Sequence, residues 1–102
     1  MKARRPPAVR LRLYVAGQTP KSIAARANLK RLCAAELAGR YRIEVVDLLE
    51  RPGMAVRDDI VVVPTLVKRL PPPLRRIIGD LSNRERVLVG LDIVSQPARG
   101  RS

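Results

Sequence analysis

The chain has 102 residues, with 21 lysines and arginines against 9 aspartates and glutamates, for a net charge of +12. That length holds one domain with a modest core, and with Tyr14 and Tyr41 as the only aromatic residues the core must be Leu, Val, Ile and Ala. The lack of histidine removes the commonest general base and metal ligand, and the lone Cys33 excludes an intrachain disulfide or a CxxC pair.

The charge points to acidic partners, but no aromatics interleave with it to stack single-stranded nucleic acid, so no specific nucleic-acid partner is expected. No apolar run approaches the ~18 residues of a membrane span. The opening MKARRPPAVRLRLYVAG lacks the apolar core of a signal peptide, because Arg10 and Arg12 interrupt it. The expectation is a cytoplasmic protein with no membrane partner. Residues 1–8 and 95–102 read as flexible basic tails around a single domain over 9–94.

Val9, Leu11, Leu13 and Val15 alternate with Arg10, Arg12 and Tyr14, the period of a strand with one apolar face. Thr19 is placed as an N-cap, with Pro20 at the first helical position, where its missing N–H is not needed. Helical spacing over Lys21–Ala38 puts Ala25, Leu29, Leu32, Cys33 and Leu37 in one stripe, with Asn28 and Arg31 away from it. Cys33 therefore reads as core packing, and Gly39 as a left-handed helix stop. Tyr41–Leu48 is a second strand, so the first half is a βαβ unit with parallel strands. Met54–Asp59 suits a short helical turn.

The second half gives conflicting signals. Ile60–Val63 has strand composition, yet Pro64 cannot donate to a ladder and belongs at an edge, a bulge or a strand start. Val63-Pro64 is a candidate cis peptide. Thr65–Leu70 is a short strand, Pro71, Pro72 and Pro73 are extended, and Leu74–Ile78 is a further strand candidate closed by Gly79-Asp80. Ser82 and Glu85 have capping-box spacing, which predicts a helix to about Ile93. Against it stand the β-branched Val87, Val89, Ile93 and Val94, and Gly90, which costs a helix about 1 kcal/mol relative to Ala.

No phosphate-binding loop or nucleophile elbow is present, and no acid–base or nucleophile–base pair can be assembled. Asp58-Asp59 and Asp47/Glu50 read as turn or salt-bridge residues. The chain reads as a binding protein, not an enzyme, with no cofactor and no metal.

The Val63-Pro64-Thr65-Leu66 step after a βαβ unit resembles a thioredoxin-like domain, with Ala16-Gly17-Gln18-Thr19-Pro20 where a redox thioredoxin has CxxC. The closer similarity is to the KaiB family of circadian clock proteins. It rests on Leu13–Pro20, on Val63–Leu66, on LPPPLRRIIGDLS (residues 70–82) and on Gly90-Leu91-Asp92, and it covers about Leu11 to Ile93. The resemblance implies a non-enzymatic clock protein that binds the hexameric ATPase KaiC, with KaiA and a histidine kinase as further partners. It also implies two folds. One is a resting homo-oligomer, dimer or tetramer, of order βαββααβ. The other is a binding-competent thioredoxin-like α/β monomer of order βαβαββα, which the capping box favours. The basic ends (Arg4, Arg5, Arg99, Arg101) depart from the acidic tail of many cyanobacterial members and suit a KaiA-independent timer.

On this reading Lys68, Arg75 and Arg76 hold acidic partner surfaces. Pro64, Pro71, Pro72, Pro73, Gly90 and Asp92 form the switch, with the prolines slowing the exchange. Gly90→Ala is expected to favour the thioredoxin-like form. The alternatives are a glutathione-dependent enzyme of the same fold, a nucleic-acid binder, and a KaiB-like module with another signalling or stress partner.

Overall fold

The computed structural model describes residues 9–93, so the two tails and Val94 lie outside the described residues. The first strand, β1 (Val9–Val15), buries Val9, Leu11, Leu13 and Val15 as the alternation requires, and it also buries Tyr14 on the opposite face. Helix α1 (Pro20–Glu36) starts as expected: the Thr19 hydroxyl accepts from the Ser22 N–H at 3.3 Å and Pro20 opens the first turn. Its stripe of Ala25, Leu29, Leu32 and Cys33 is buried, with Leu37 just beyond. Each fully buried leucine contributes roughly 1.5–3 kcal/mol. Ala38 and Gly39, at φ 47° and 78°, turn the chain out of the helix. Strand β2 (Tyr41–Asp47) runs parallel to β1 in register from Val9↔Tyr41 to Val15↔Asp47. It stops one residue short of the expected Leu48.

Helix α2 (Gly53–Arg57) forms the short turn. Ile60–Val63 is not a strand. The Ile60 N–H folds back onto the Ala55 carbonyl, Val61 is 87 % exposed, and the Thr65 hydroxyl donates to the Val62 carbonyl. The segment is a turn because Pro64, with no N–H, stands between it and the ladder. Strand β3 (Thr65–Leu70) begins immediately after Pro64, and β4 (Arg75–Ile78) follows the proline run. The Val63-Pro64, Leu70-Pro71 and Pro72-Pro73 peptides are cis.

Helix α3 spans Arg84–Gly90. Its cap is Asn83, whose side chain accepts from the Arg86 N–H at 3.0 Å; the Ser82 N–H is instead held by Asp80 Oδ1 at 3.0 Å. The capping-box residue is thus displaced by one, because an Asx turn at Asp80 claims Ser82 first. The helix does not reach Ile93, since Asp92 at φ 56° has left the helical region.

The four strands lie in the order β2-β1-β3-β4, with β3 antiparallel to both β1 and β4. One face carries the larger core, including Leu13, Leu29, Leu66 and Leu91, under α1 and α3. The other carries Tyr14, Val46, Met54, Ile60 and Val67 under α2. The chain order is the expected βαβαββα and not βαββααβ. As an edge strand β2 is covered incompletely, which is why Val45 is 37 % exposed.

Candidate functional site

The loop after β1 is where a redox member of this fold would carry its thiols. Its backbone is fastened by side chains: the Ala16 N–H to Ser22 Oγ at 3.2 Å, and the Gly17 N–H to Asp47 Oδ1 at 3.0 Å. Asp47 Oδ1 also accepts from the Leu49 N–H at 3.0 Å. Gly17 is at φ 63°, a conformation that favours glycine, and a Cβ there would push aside the exposed end of Leu49. Cys33 is fully buried in α1, and burial pushes its thiol up to about 12, so it remains protonated and unreactive. Among the described residues no three His, Cys, Asp or Glu side chains gather to hold a metal ion, and no helix is long and apolar enough to cross a membrane.

The hairpin of β3 and β4 carries the three basic residues expected at a partner surface, and it sends them to different places. The pairs Val67↔Arg76 and Lys68↔Arg75 alternate across the sheet. Arg75 is exposed on the α3 side and Arg76 faces the α2 side, so adjacent arginines do not form one patch. Arg76 donates to the carbonyls of Asp58 and Asp59 at 3.0 and 2.8 Å, where the chain leaves α2. Lys68 is 1 % exposed, and its Nζ lies 3.5 Å from the Asp92 carbonyl, at the long limit of a hydrogen bond. In this fold Lys68 closes the end of α3 and presents no charge at the surface.

The expected switch positions frame the same hairpin. Pro64 is buried at the start of β3, while Pro71, Pro72 and Pro73 are exposed between the strands. The Pro64 carbonyl accepts from the Gly79 N–H at 3.0 Å, tying the far end of β4 to the start of β3. A Cβ on Gly90 would lie 2.7 Å from Ile77 Cδ1, so Gly90 brings α3 close onto β4, and its replacement affects packing as well as helix propensity.

Several contacts were not foreseen. Asn28, expected away from the buried stripe, is half-buried and donates to the Asp80 carbonyl at 2.9 Å. Arg84 of α3 pairs with the buried Glu36 of α1. Under α2 the Tyr14 hydroxyl donates to Asp58 Oδ2 at 2.5 Å, and Arg12 bridges Asp58 at 3.2 Å and Glu44 at 2.9 Å. The Tyr14 hydrogen bond, with the charge of Arg12, holds the Asp58 carboxyl below its ordinary range; burial, and then this bond, push the Tyr14 phenol up. These partners are far apart in the chain, so no local spacing announces them. The one available signal was the polar side of the β1 alternation, which carries Arg12 and Tyr14.

Comparison with known proteins adds the following. A model of the KaiB domain matches residues 12–93. Circadian clock protein KaiB3 of Synechocystis sp. is 52 % identical over 86 residues, covering 84 % of each chain. The circadian clock oscillator protein KaiB of Microcystis aeruginosa is 50 % identical over 91 residues, covering 89 % of this chain and 88 % of its own. Among solved structures, the N-terminal domain of Synechococcus elongatus SasA superposes with a TM-score of 0.70 at 23 % identity, covering 90 % of each chain. Mitochondrial thioredoxin 3 of Saccharomyces cerevisiae gives 0.66 at 20 % identity, covering 83 % of this chain and 77 % of its own. At those identities the likeness is one of architecture: the fold is thioredoxin-like.

Proposed function

The chain belongs to the KaiB family of circadian clock proteins, and from that premise we propose that it binds a KaiC-like hexameric ATPase and modulates its phosphorylation cycle through a slow fold switch. It is a clock protein and not an enzyme, as its KaiB relatives are named. The observation that carries the reading is the half-identical match to named clock proteins over most of the chain. It includes the proline run and the RRIIGDLS segment that form β4 and its exit.

The second half supports the switch. Leu81 and Asp92 in this half, like Ala38 in the first and Asp59 between them, are non-glycine residues at positive φ, a conformation that costs of order 1 kcal/mol or more each. Leu81 adopts it while buried. Helix α3 has seven residues, two of them β-branched, and it is held by the buried Val87 and the following Leu91, a cap, one ion pair and the Lys68 tie. An arrangement so dependent on tertiary contacts can lie within a few kcal/mol of another. The rarer form then lowers apparent affinity in proportion to its population, and binding is slow. Arg75, exposed and without an ion pair among the described residues, is the basic residue of the hairpin best placed to meet an acidic partner surface.

The test is association with the KaiC-like ATPase from the same organism, followed over hours by native mass spectrometry. The expected result is a complex that accumulates slowly and is weakened by Arg75→Glu. No complex with the ATPase in any phosphorylation state would overturn the reading.

A further inference from the structure

Three neighbouring strands each contribute an arginine to one side of the sheet. In the parallel pair Arg10 stands opposite Arg42 and Arg12 opposite Glu44. On β3 a register shift leaves Arg69 between the partners of Arg10 and Leu11. Together with Leu11, Ile43 and Glu44 these side chains line an open depression of 620 Å³.

Arg12 is committed to Glu44 and Asp58, which also takes up the Glu44 carboxylate. Arg10, Arg42 and Arg69 are exposed and make no salt bridge among the described residues, though the charge of Arg69 adds to the Tyr14 hydrogen bond and to Arg12 in lowering the Asp58 carboxyl. Like charges directly opposite one another, as Arg10 and Arg42 are, destabilise a sheet.

An acidic ligand would relieve this repulsion. Strands lie about 4.8 Å apart, so the three guanidinium forks span roughly 10 Å, the reach of successive acidic side chains on one extended segment. Guanidinium binds carboxylate in a paired, planar geometry. Nucleic acid fits less well. No aromatic side chain lines the depression for a base to stack on, and a concave sheet face does not enter a groove.

We propose that the depression framed by Arg10, Arg42 and Arg69 is a docking site for an acidic segment of a partner protein, a run of Asp and Glu side chains. It lies on the α2 side of the sheet, opposite Arg75, and so is a second contact surface, separate from the ATPase contact proposed above.

The experiment measures binding of the full chain to a fluorescein-labelled peptide of alternating Asp and Glu, by anisotropy at about 0.15 M salt, where exposed charges are screened beyond ~8 Å. Arg10→Ala/Arg42→Ala/Arg69→Ala is expected to weaken binding at least tenfold or so, against about twofold for Lys21→Ala/Arg26→Ala/Lys30→Ala, which removes the same charge from α1. Should the first variant lose its fold, Arg10→Lys/Arg42→Lys/Arg69→Lys keeps the charge and removes the forks, and weaker binding is again expected. Equal losses in the two alanine variants, unchanged binding by the lysine variant, or no binding by the parent chain would overturn the proposal. So would tighter binding of a single-stranded oligonucleotide of the same charge through these arginines.

Discussion

From Val9 to Asp47 the molecule is held by interlocked apolar side chains: the β1 alternation and the α1 stripe meet with Leu13, Val15, Ala25 and Cys33 all fully buried. From Pro64 to Ile93 fewer side chains are buried, Leu66, Val67, Leu81, Val87 and Leu91 among them, and single polar ties are added to that core. Lys68 reaches the end of α3, Arg76 the end of α2, Asn28 the Asp80 carbonyl, and Arg84 the carboxylate of Glu36. Apolar burial is additive and has no preferred direction. A hydrogen bond to one carbonyl is worth only about 0.5–1.5 kcal/mol and depends on geometry. The second half therefore leans more on such ties than the first. A protein proposed to rearrange one half and keep the other needs that division.

The comparison is most severely tested by core truncation. Leu29→Ala should cost about 3 kcal/mol through its cavity, and urea unfolding should register the loss in every probe. Lys68→Ala should cost about 2 kcal/mol, from the buried stem and the freed Asp92 carbonyl. Here the amides of α3 should lose hydrogen-exchange protection before those of β1. Uniform loss of protection would break the distinction between the halves.

Adjacent arginines give a smaller and sharper test. Arg76→Ala should cost about 1 kcal/mol by releasing two backbone carbonyls. Arg75→Ala should leave the urea midpoint unchanged, since surface substitutions away from such ties stay within about 0.5 kcal/mol. Equal effects would mean that strand alternation does not separate their roles.

Gly90→Ala combines two opposing terms. Helix propensity favours it by about 1 kcal/mol at most, while the new methyl meets Ile77 Cδ1. We expect the gain to be less than that alone and restored in part by Ile77→Val, which removes the opposing methyl; a double-mutant cycle with no coupling would refute this.

The smallest effect is expected in pH. Asp58 has a folded-state pKa below its unfolded one, so its contribution is complete above the ordinary carboxylate range near 4 and is lost as pH falls through the folded value. Asp58→Asn should flatten that acid limb of the urea midpoint, and an unaltered limb would remove Asp58 from the account.

By itself the sequence determined the βαβ unit, because periodicity, capping and the glycine stop agree residue by residue: Thr19, Pro20, the Ala25–Leu37 stripe and Gly39 all perform as read. It also bounded β3 and β4, since prolines act through their own missing N–H. The misplaced features have a common cause. The Ile60–Val63 turn, the cap at Asn83, the early end of α3, the burial of Lys68 and the parting of Arg75 from Arg76 each depend on which distant group completes a hydrogen bond or which face a strand turns inward. Local propensity is silent on both. Only the tertiary structure decided them, and it alone gathered Arg10, Arg42 and Arg69, which are 32 and 27 residues apart in the chain, onto one face of three adjacent strands.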